Sequence, residues 1–364
     1  MRYVLAALAV VAAACTASGS GTETAAPALS TSMATSTTAQ SSDPATPTPQ
    51  MRPEGRRSHG MVALDDGRLL IVGGQTTRGN SQIWLGDTWI YDLDRATWTQ
   101  VQDVAQRGQF ALAHAADSST SLLFGGYTGG NAVYEDTLVA RDGRWTEVSP
   151  TTAPTGRTGS VAAYDLQSGV FVVFGGAERP RPRIAELPSN ETWTYDATEN
   201  VWRQMSPAAS PRPASEGHPT LFELAMVYHP GVDRTILLIG GQETWAYDVD
   251  VDRWERRSDP GLRADFMVAA AYHAGLDRVI MYGGAPTSLT RETWSYDYAA
   301  DEWTEVATRT RPGAVGDHAM TYDAVTDAVY LHGGSDDLIP LDTPQPAFAA
   351  LWAFDGVDWR IVDG

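Results

Sequence analysis

Lysine is absent from this chain of 364 residues: all 26 basic side chains are arginine, set against 45 acidic ones for a net charge of −19. The all-arginine usage is read as coding bias and not as chemistry. The acidic excess excludes nucleic acid as a partner, because phosphate backbones demand a basic surface. Cysteine is nearly absent as well. With Cys15 alone, no intrachain disulfide can form and core packing must hold the fold. The N-terminal apolar run from Tyr3 to Ala14 has about a dozen residues, where a transmembrane helix needs about 20. The seven histidines nowhere fall at metal-ligand spacing with Cys, Asp or Glu. No GxSxG elbow, phosphate-cradling loop or paired-carboxylate signature occurs. Neither a metal nor a cofactor is therefore expected.

What is present begins with an export signal. Met1 and Arg2 precede the run YVLAALAVVAAA, and Cys15 follows it directly; a charged start, a short apolar stretch and small residues are the layout of a cleaved leader. The cysteine at that point resembles a bacterial lipoprotein signal, which implies lipidation of Cys15 and anchoring on the extracytoplasmic face of the cell membrane. Cleavage at an ordinary A-x-A site, giving a secreted protein, is the alternative. Residues 16–50 are Ser, Thr, Ala and Pro in low-complexity order, with too little apolar content to offset the entropy of ordering. The expected organisation is a signal peptide over 1–14, a flexible tether over 15–52 and one folded domain over 53–364.

Within that domain six Gly-Gly pairs each close a short apolar run: LLIVGG at Gly73, LLFGG at Gly125, FVVFGG at Gly175, ILLIGG at Gly240, VIMYGG at Gly283 and VYLHGG at Gly333. Their spacings of 52, 50, 65, 43 and 50 residues are too long for helical solenoids and suit four-stranded propeller blades. A second signature follows each pair, DTWIYD at Asp87, ETWTYD at Glu191, ETWAYD at Glu243 and ETWSYD at Glu292, with worn copies DTLVARD at Asp136 and LWAFD at Leu351. Another tryptophan comes nine residues after the first in the four full copies, and seven residues on in the worn ones. The W-x-Y alternation reads as a strand and the Asp-rich stretch after it as a hairpin turn.

Double glycine with downstream Tyr and Trp at set spacing resembles the Kelch repeat, and six copies run from about residue 56 to 364. The fold expected is all-β: a six-bladed β-propeller with four antiparallel strands per blade. The repeats start and stop in phase, so closure by blade packing is expected, with no strand exchanged between first and last blades. Galactose oxidase, a relative by fold, needs a tyrosine crosslinked to cysteine; the only cysteine here lies in the leader, so that activity is not expected.

With the four strands of each blade lettered a to d in chain order, strand order sorts the connections onto two faces. The a–b and c–d turns are short and alike, whereas the b–c and d–a connections, among them 75–88, 177–192, 204–218 and 335–350, are long and dissimilar, as functional loops on a regular scaffold tend to be. Arg and acid nearly balance in these connections, while the strands and short turns hold most of the acidic excess. A relatively positive mouth favours an anionic ligand. The ligand-binding candidates are Arg57, His59, Arg107, Arg157, Arg179, Arg181, Arg183, His218, Arg257, Arg311 and His318. His59 and His318 belong to blades made adjacent by ring closure, so a shared site is expected there, whereas His114, His229, His273 and His332 read as structural residues near the short turns. The function expected is a monomeric, surface-anchored binding module for a protein or an acidic glycan. A carbohydrate-active enzyme, such as an acidic-sugar epimerase or mutarotase, is the alternative, resting on likeness of fold.

Overall fold

The structure, a computed structural model, describes residues 51–129, 133–178, 189–212, 224–240, 243–259, 268–284, 291–313, 316–336 and 347–364. The leader with Cys15 and the tether up to residue 50 lie outside the described residues. Blade 1 comprises β1 (Gly60–Ala63), β2 (Arg68–Arg78), β3 (Ser81–Asp92) and β4 (Thr97–Gln100); blade 2, β5 (Ala111–Ala115), β6 (Thr120–Phe124), β7 (Thr137–Arg141) and β8 (Arg144–Val148); blade 3, β9 (Thr158–Asp165), β10 (Val170–Ala177), β11 (Thr192–Asp196) and β12 (Val201–Gln204). Blade 4 comprises β13 (Leu224–His229), β14 (Arg234–Ile239), β15 (Glu243–Asp248) and β16 (Arg253–Arg256); blade 5, β17 (Ala269–His273), β18 (Arg278–Tyr282), β19 (Thr293–Asp297) and β20 (Glu302–Val306); blade 6, β21 (Gly316–Asp323), β22 (Ala328–Ser335), β23 (Leu351–Phe354) and β24 (Trp359–Asp363). Each sheet holds four consecutive strands in chain order, and no helix occurs among the described residues. The protein is a six-bladed propeller whose repeats run in phase, and no strand is exchanged at the seam.

The second strand of each blade is apolar on both faces because each blade is sandwiched between two others; Leu69 to Val72 are wholly buried. The fourth strand lies at the sheet edge and buries mainly its tryptophan, as in the pattern of β16, leaving polar side chains to guard the edge. Apolar packing gathers in six layers between blades. In the layer joining the last blade to the first, Leu69, Tyr91 and Trp98 meet Ala319, Tyr330 and Leu351.

A hydrogen bond seals every one of these layers. The indole N–H of the fourth-strand tryptophan donates to the threonine of the preceding blade's D/E-T-W signature: Trp145 to Thr88 at 3.1 Å, Trp202 to Thr137 at 3.1 Å, Trp254 to Thr192 at 2.9 Å, Trp303 to Thr244 at 3.0 Å and Trp359 to Thr293 at 2.8 Å. Blade 6 has Leu351 in the threonine's place, and Trp98 donates instead to the carboxylate of Asp363 on β24 at 2.6 Å. Arg52 reaches the end of the same strand, donating to the Gly364 carbonyl just past it at 2.7 Å. Asp363→Ala is expected to cost about 1–2 kcal/mol, the worth of a charge-assisted bond whose buried donor loses its partner. Asp363→Asn, which keeps an acceptor, should cost less in urea titrations. Equal losses for both would remove the bond from the account of closure.

One expectation needs correction. The connection 75–88 is not an irregular loop: β2 and β3 continue past a register shift between Val72 and Gly74 as a ribbon pairing Gln75 with Trp84, Thr76 with Ile83 and Arg78 with Ser81. Thr76, Thr77, Ile83 and Trp84 favour strand there, and Gly79-Asn80 supplies the turn. The connections 177–192 and 335–350 lie largely outside the described residues, as do residues 213–218 of the connection 204–218.

Candidate functional site

The first-strand approaches of blades 1 to 3 carry arginines at one repeat position: Arg56, Arg107 and Arg157, all essentially buried. Each guanidinium turns into its own blade. Arg56 forms a two-pronged pair with Asp87, both bonds 2.8 Å, and donates to the Gly73 carbonyl at 3.1 Å. Arg107 does the same with Asp136, at 2.6 and 2.7 Å, and with the Gly125 carbonyl. Arg157 reaches Glu191 at 2.9 Å and the Gly175 carbonyl. Their backbone carbonyls face the other way, accepting from Gly334, Gly74 and Gly126 of the preceding blade. The Gly-Gly pair therefore meets this carbonyl at close range: a Cβ on Gly333, where φ is +72°, would sit 2.4 Å from the Arg56 oxygen. The signature acid also accepts from the tryptophan two residues on, as Trp89 to Asp87 and Trp245 to Glu243. Arg107 and Arg157, expected as ligand contacts, are thus committed to holding blades together. Sequence reasoning picked Arg57 from the tandem pair, and Arg56 is the buried member.

The remaining candidates divide. Arg257 donates to the Tyr298 carbonyl and lies over that ring at 4.3 Å, while Arg311 is exposed. Arg179, Arg181, Arg183 and His218 lie outside the described residues. His114 bonds Ser121 and lies against Asp65, His229 packs on Tyr272 and His273 packs on Tyr322, so these three sit as structural residues.

Around the axis, a collar of backbone bonds links successive blades: Ser58 N–H to the Asp317 carbonyl at 2.9 Å, Gln109 N–H to Ser58 at 3.0 Å and Gly159 N–H to Gln109 at 2.7 Å. Ser58, Gln109 and Asp317 adopt left-handed φ of 53°, 56° and 57° to make these contacts, an uncommon conformation for residues with a Cβ. Inside the collar is a cavity of about 140 Å³ to which all six blades contribute, with His59, Gln109, Ser160, Asp317 and His318 on its wall. The Ser160 hydroxyl and His59 Nδ1 are buried and make no hydrogen bond among the described residues.

The expected proximity of His59 and His318 is present, and a third histidine joins them. His332 Nδ1 and His59 Nε2 share a hydrogen bond of 3.1 Å. This corrects the placement of His332 near the short turns: a second strand starts at the a–b turn and reaches the opposite face at its Gly-Gly pair. Burial holds all three imidazoles neutral. Desolvation, aided by the Arg56 cation, pushes His332 down to about 3; desolvation alone takes His318 to about 4; His59 is held well below its ordinary value by burial, then by His332 and Arg56. Asp317 is shifted the other way, raised by burial although Arg57 and Ser58 oppose the shift.

Beside this mouth the β2–β3 ribbon presents Trp84, half-buried, tilted against Tyr127 with ring centroids 4.6 Å apart. Sequence reasoning passed over it, yet a signal was there: eleven of the twelve tryptophans occupy the two repeat positions, and Trp84 does not.

The sequence profile of the Attractin/LZTR1 beta-propeller family matches residues 20–270. Among curated proteins, the chain is 28% identical over 203 residues to Putative adagio-like protein 2 of Oryza sativa subsp. japonica, covering 52% of this chain and 30% of that protein. Adagio-like protein 1 of the same plant is 27% identical over 203 residues, 52% of this chain and 31% of its own length. The flagellar outer-arm dynein alpha chain of Chlamydomonas reinhardtii is 32% identical over 110 residues, 29% of this chain and 2% of the dynein. The chain thus spans less than a third of the length of each of these relatives. The profile match, over more than half of the chain and on a Kelch-type six-bladed propeller, shows that this protein belongs to the Attractin/LZTR1 beta-propeller family.

Proposed function

We propose that the propeller is a non-catalytic binding module that takes a protein ligand across the face carrying the b–c and d–a connections. The observation that carries this reading is the Trp84–Tyr127 pair, raised on a ribbon that blade 1 alone extends among the described connections. A half-buried aromatic pair offers a large rigid contact area with little side-chain entropy to lose, the usual make-up of a binding hot spot. The axial cavity beside it is smaller than the roughly 300–1,000 Å³ of small-molecule sites and suits one inserted side chain. The commitment of Arg107 and Arg157 to Asp136 and Glu191 weakens the case for an acidic glycan. In this reading the Cys15 signal and the tether hold a monomeric domain at the extracytoplasmic membrane face, and the ligand is a protein of that compartment.

Capture on the immobilised full chain, with bound proteins identified and their affinities measured, tests it. Trp84→Ala should weaken binding by at least about thirtyfold, the mark of a hot spot, with the melting temperature unchanged; undiminished binding by that variant would overturn the assignment. One observation favours the enzymatic alternative: His59, His318 and Asp317 converge on the cavity, with Arg57 acting electrostatically on Asp317. Anomer exchange of N-acetylneuraminic acid, followed by proton NMR and abolished by Asp317→Asn, would decide for it.

A further inference from the structure

On the short-turn face, between blades 2 and 3, lies a cleft of about 590 Å³ walled by Ser118, Val139, Arg141, Arg144, Thr146 and Thr198. Its origin is a departure from the repeat. Five blades carry aspartate at the end of the third strand, Asp92, Asp196, Asp248 and Asp297, or directly after it, Asp355, and that carboxylate accepts backbone N–H groups of the turn that follows. Blade 2 has Arg141 there, a reversal of charge, and a turn of only Asp142 and Gly143 before Arg144.

Arg141 and Arg144 are register partners on β7 and β8, so both side chains leave the same face of the ribbon. Like charges directly opposite across strands are unfavourable, and no ion pair with a described residue relieves them. Asp142, between them in sequence, is engaged by Arg68 of blade 1 at 2.7 Å. The acids of the adjoining blade 3 turn are occupied too: Glu199 pairs with Arg203, and Asp196 accepts from Thr198 and Glu199 N–H groups. In a chain of net charge −19, two guanidiniums with no ion pair to a described residue face one cleft.

We infer that this cleft binds a tetrahedral oxyanion, the phosphate or sulfate monoester end of a small organic ligand. Two guanidinium forks with the hydroxyls of Ser118, Thr146 and Thr198 offer more donors than a carboxylate has lone pairs to accept, and their two positive charges suffice for a phosphate monoester dianion or a singly charged sulfate monoester. The volume exceeds that of a free ion, and Val139, Ala140 and Ala197 supply an apolar wall for the organic part. The site is on the face opposite Trp84 and independent of the function proposed above.

Titration of the full chain with inorganic phosphate, phenyl phosphate, phenyl sulfate and benzoate at low ionic strength, followed calorimetrically, tests it. Saturable one-to-one binding is expected, phenyl phosphate or phenyl sulfate being at least about tenfold tighter than benzoate, and their order identifies which ester is preferred. Arg141→Ala and Arg144→Ala should each weaken binding by about tenfold, the worth of one charge-assisted contact. Arg253→Ala, on an outer strand of blade 4, should leave it unchanged, and unaltered melting temperatures show that the variants fold. Non-saturable binding, equal affinity for benzoate, or affinity indifferent to Arg141 and Arg144 would overturn the assignment.

Discussion

Arg56→Ala is expected to destabilise the propeller by about 3–5 kcal/mol, because it breaks one half of a buried ion pair and leaves the other half uncompensated. The guanidinium is wholly buried. Its loss would strip Asp87 of two bonds, leaving the Trp89 indole as the remaining side-chain donor on that carboxylate, and would orphan the Gly73 carbonyl. Burial by itself pushes the Asp87 carboxyl up; the Arg56 bonds reverse this and hold it below its ordinary value, so the pair is held as ions. Arg56→Lys should recover little, since a point ammonium cannot reproduce a two-pronged contact with a carbonyl bond alongside. Arg78→Ala is the control: its ion pair with Glu54 is exposed on both sides and should contribute less than about 1 kcal/mol. Guanidinium titrations of the three variants decide it. A loss under about 1 kcal/mol for Arg56→Ala would mean that the blade seam stands without this contact.

The second large effect is acid lability. His59, His318 and His332 are neutral in the folded protein, with proton affinities pressed far below the value of about 6.5 that they regain on unfolding. Depressed folded values contribute stability that is fully present above about pH 6.5. That stability is lost as the pH falls toward the folded values, near 4 for His318 and near 3 for His332. Each histidine then contributes a slope of about 1.4 kcal/mol per pH unit, so three together remove several kcal/mol by about pH 5. Asp317 works in the opposite sense, since a raised carboxyl takes up its proton earlier than the unfolded chain does, and it offsets part of the loss at the lowest pH. His332→Leu should lower stability at neutral pH yet flatten its decline between pH 6.5 and 4.5, measured as denaturant midpoints across that range. Parallel curves for variant and parent would show that the histidine layer does not govern acid unfolding.

The parts of this molecule legible in its sequence are those repeated from blade to blade. At Gly73, Gly125 and Gly333 a neighbour's carbonyl sits where a Cβ would be, and the W-x-Y-D rhythm, full in blades 1, 3, 4 and 5, supplies the aromatic fill of the layers and the turn acid. Contacts formed between distant copies were harder to see. The threonine of D/E-T-W is present in five blades, yet its role appears only when the tryptophan of the next blade is brought beside it. Tandem arginines hide which one faces inward: Arg56 and Arg57 are indistinguishable by composition, and only strand phase separates them. The long connection 75–88 reads as irregular because its ribbon, QTTRGNSQIWLG, has no alternation of polar and apolar residues, and because Gly86 and Asp87 bulge opposite Gly73 where it joins the blade. Trp84 was hidden among so many other tryptophans, although its misfit to their spacing marks it.

The carboxylate seal between Trp98 and Asp363 has one more consequence, in the order of events during synthesis. Each threonine acceptor sits on a third strand and is in place before the blade that will bond to it has emerged. The seam is the reverse case: its donor, Trp98, is made early, and its acceptor lies on the final strand of the sixth blade. A nascent chain can therefore stack its blades one by one, but it cannot latch the circle until that strand is laid down. Substituting leucine for threonine at position 351 withholds any earlier acceptor, so the latch also acts as a completeness check on the ring.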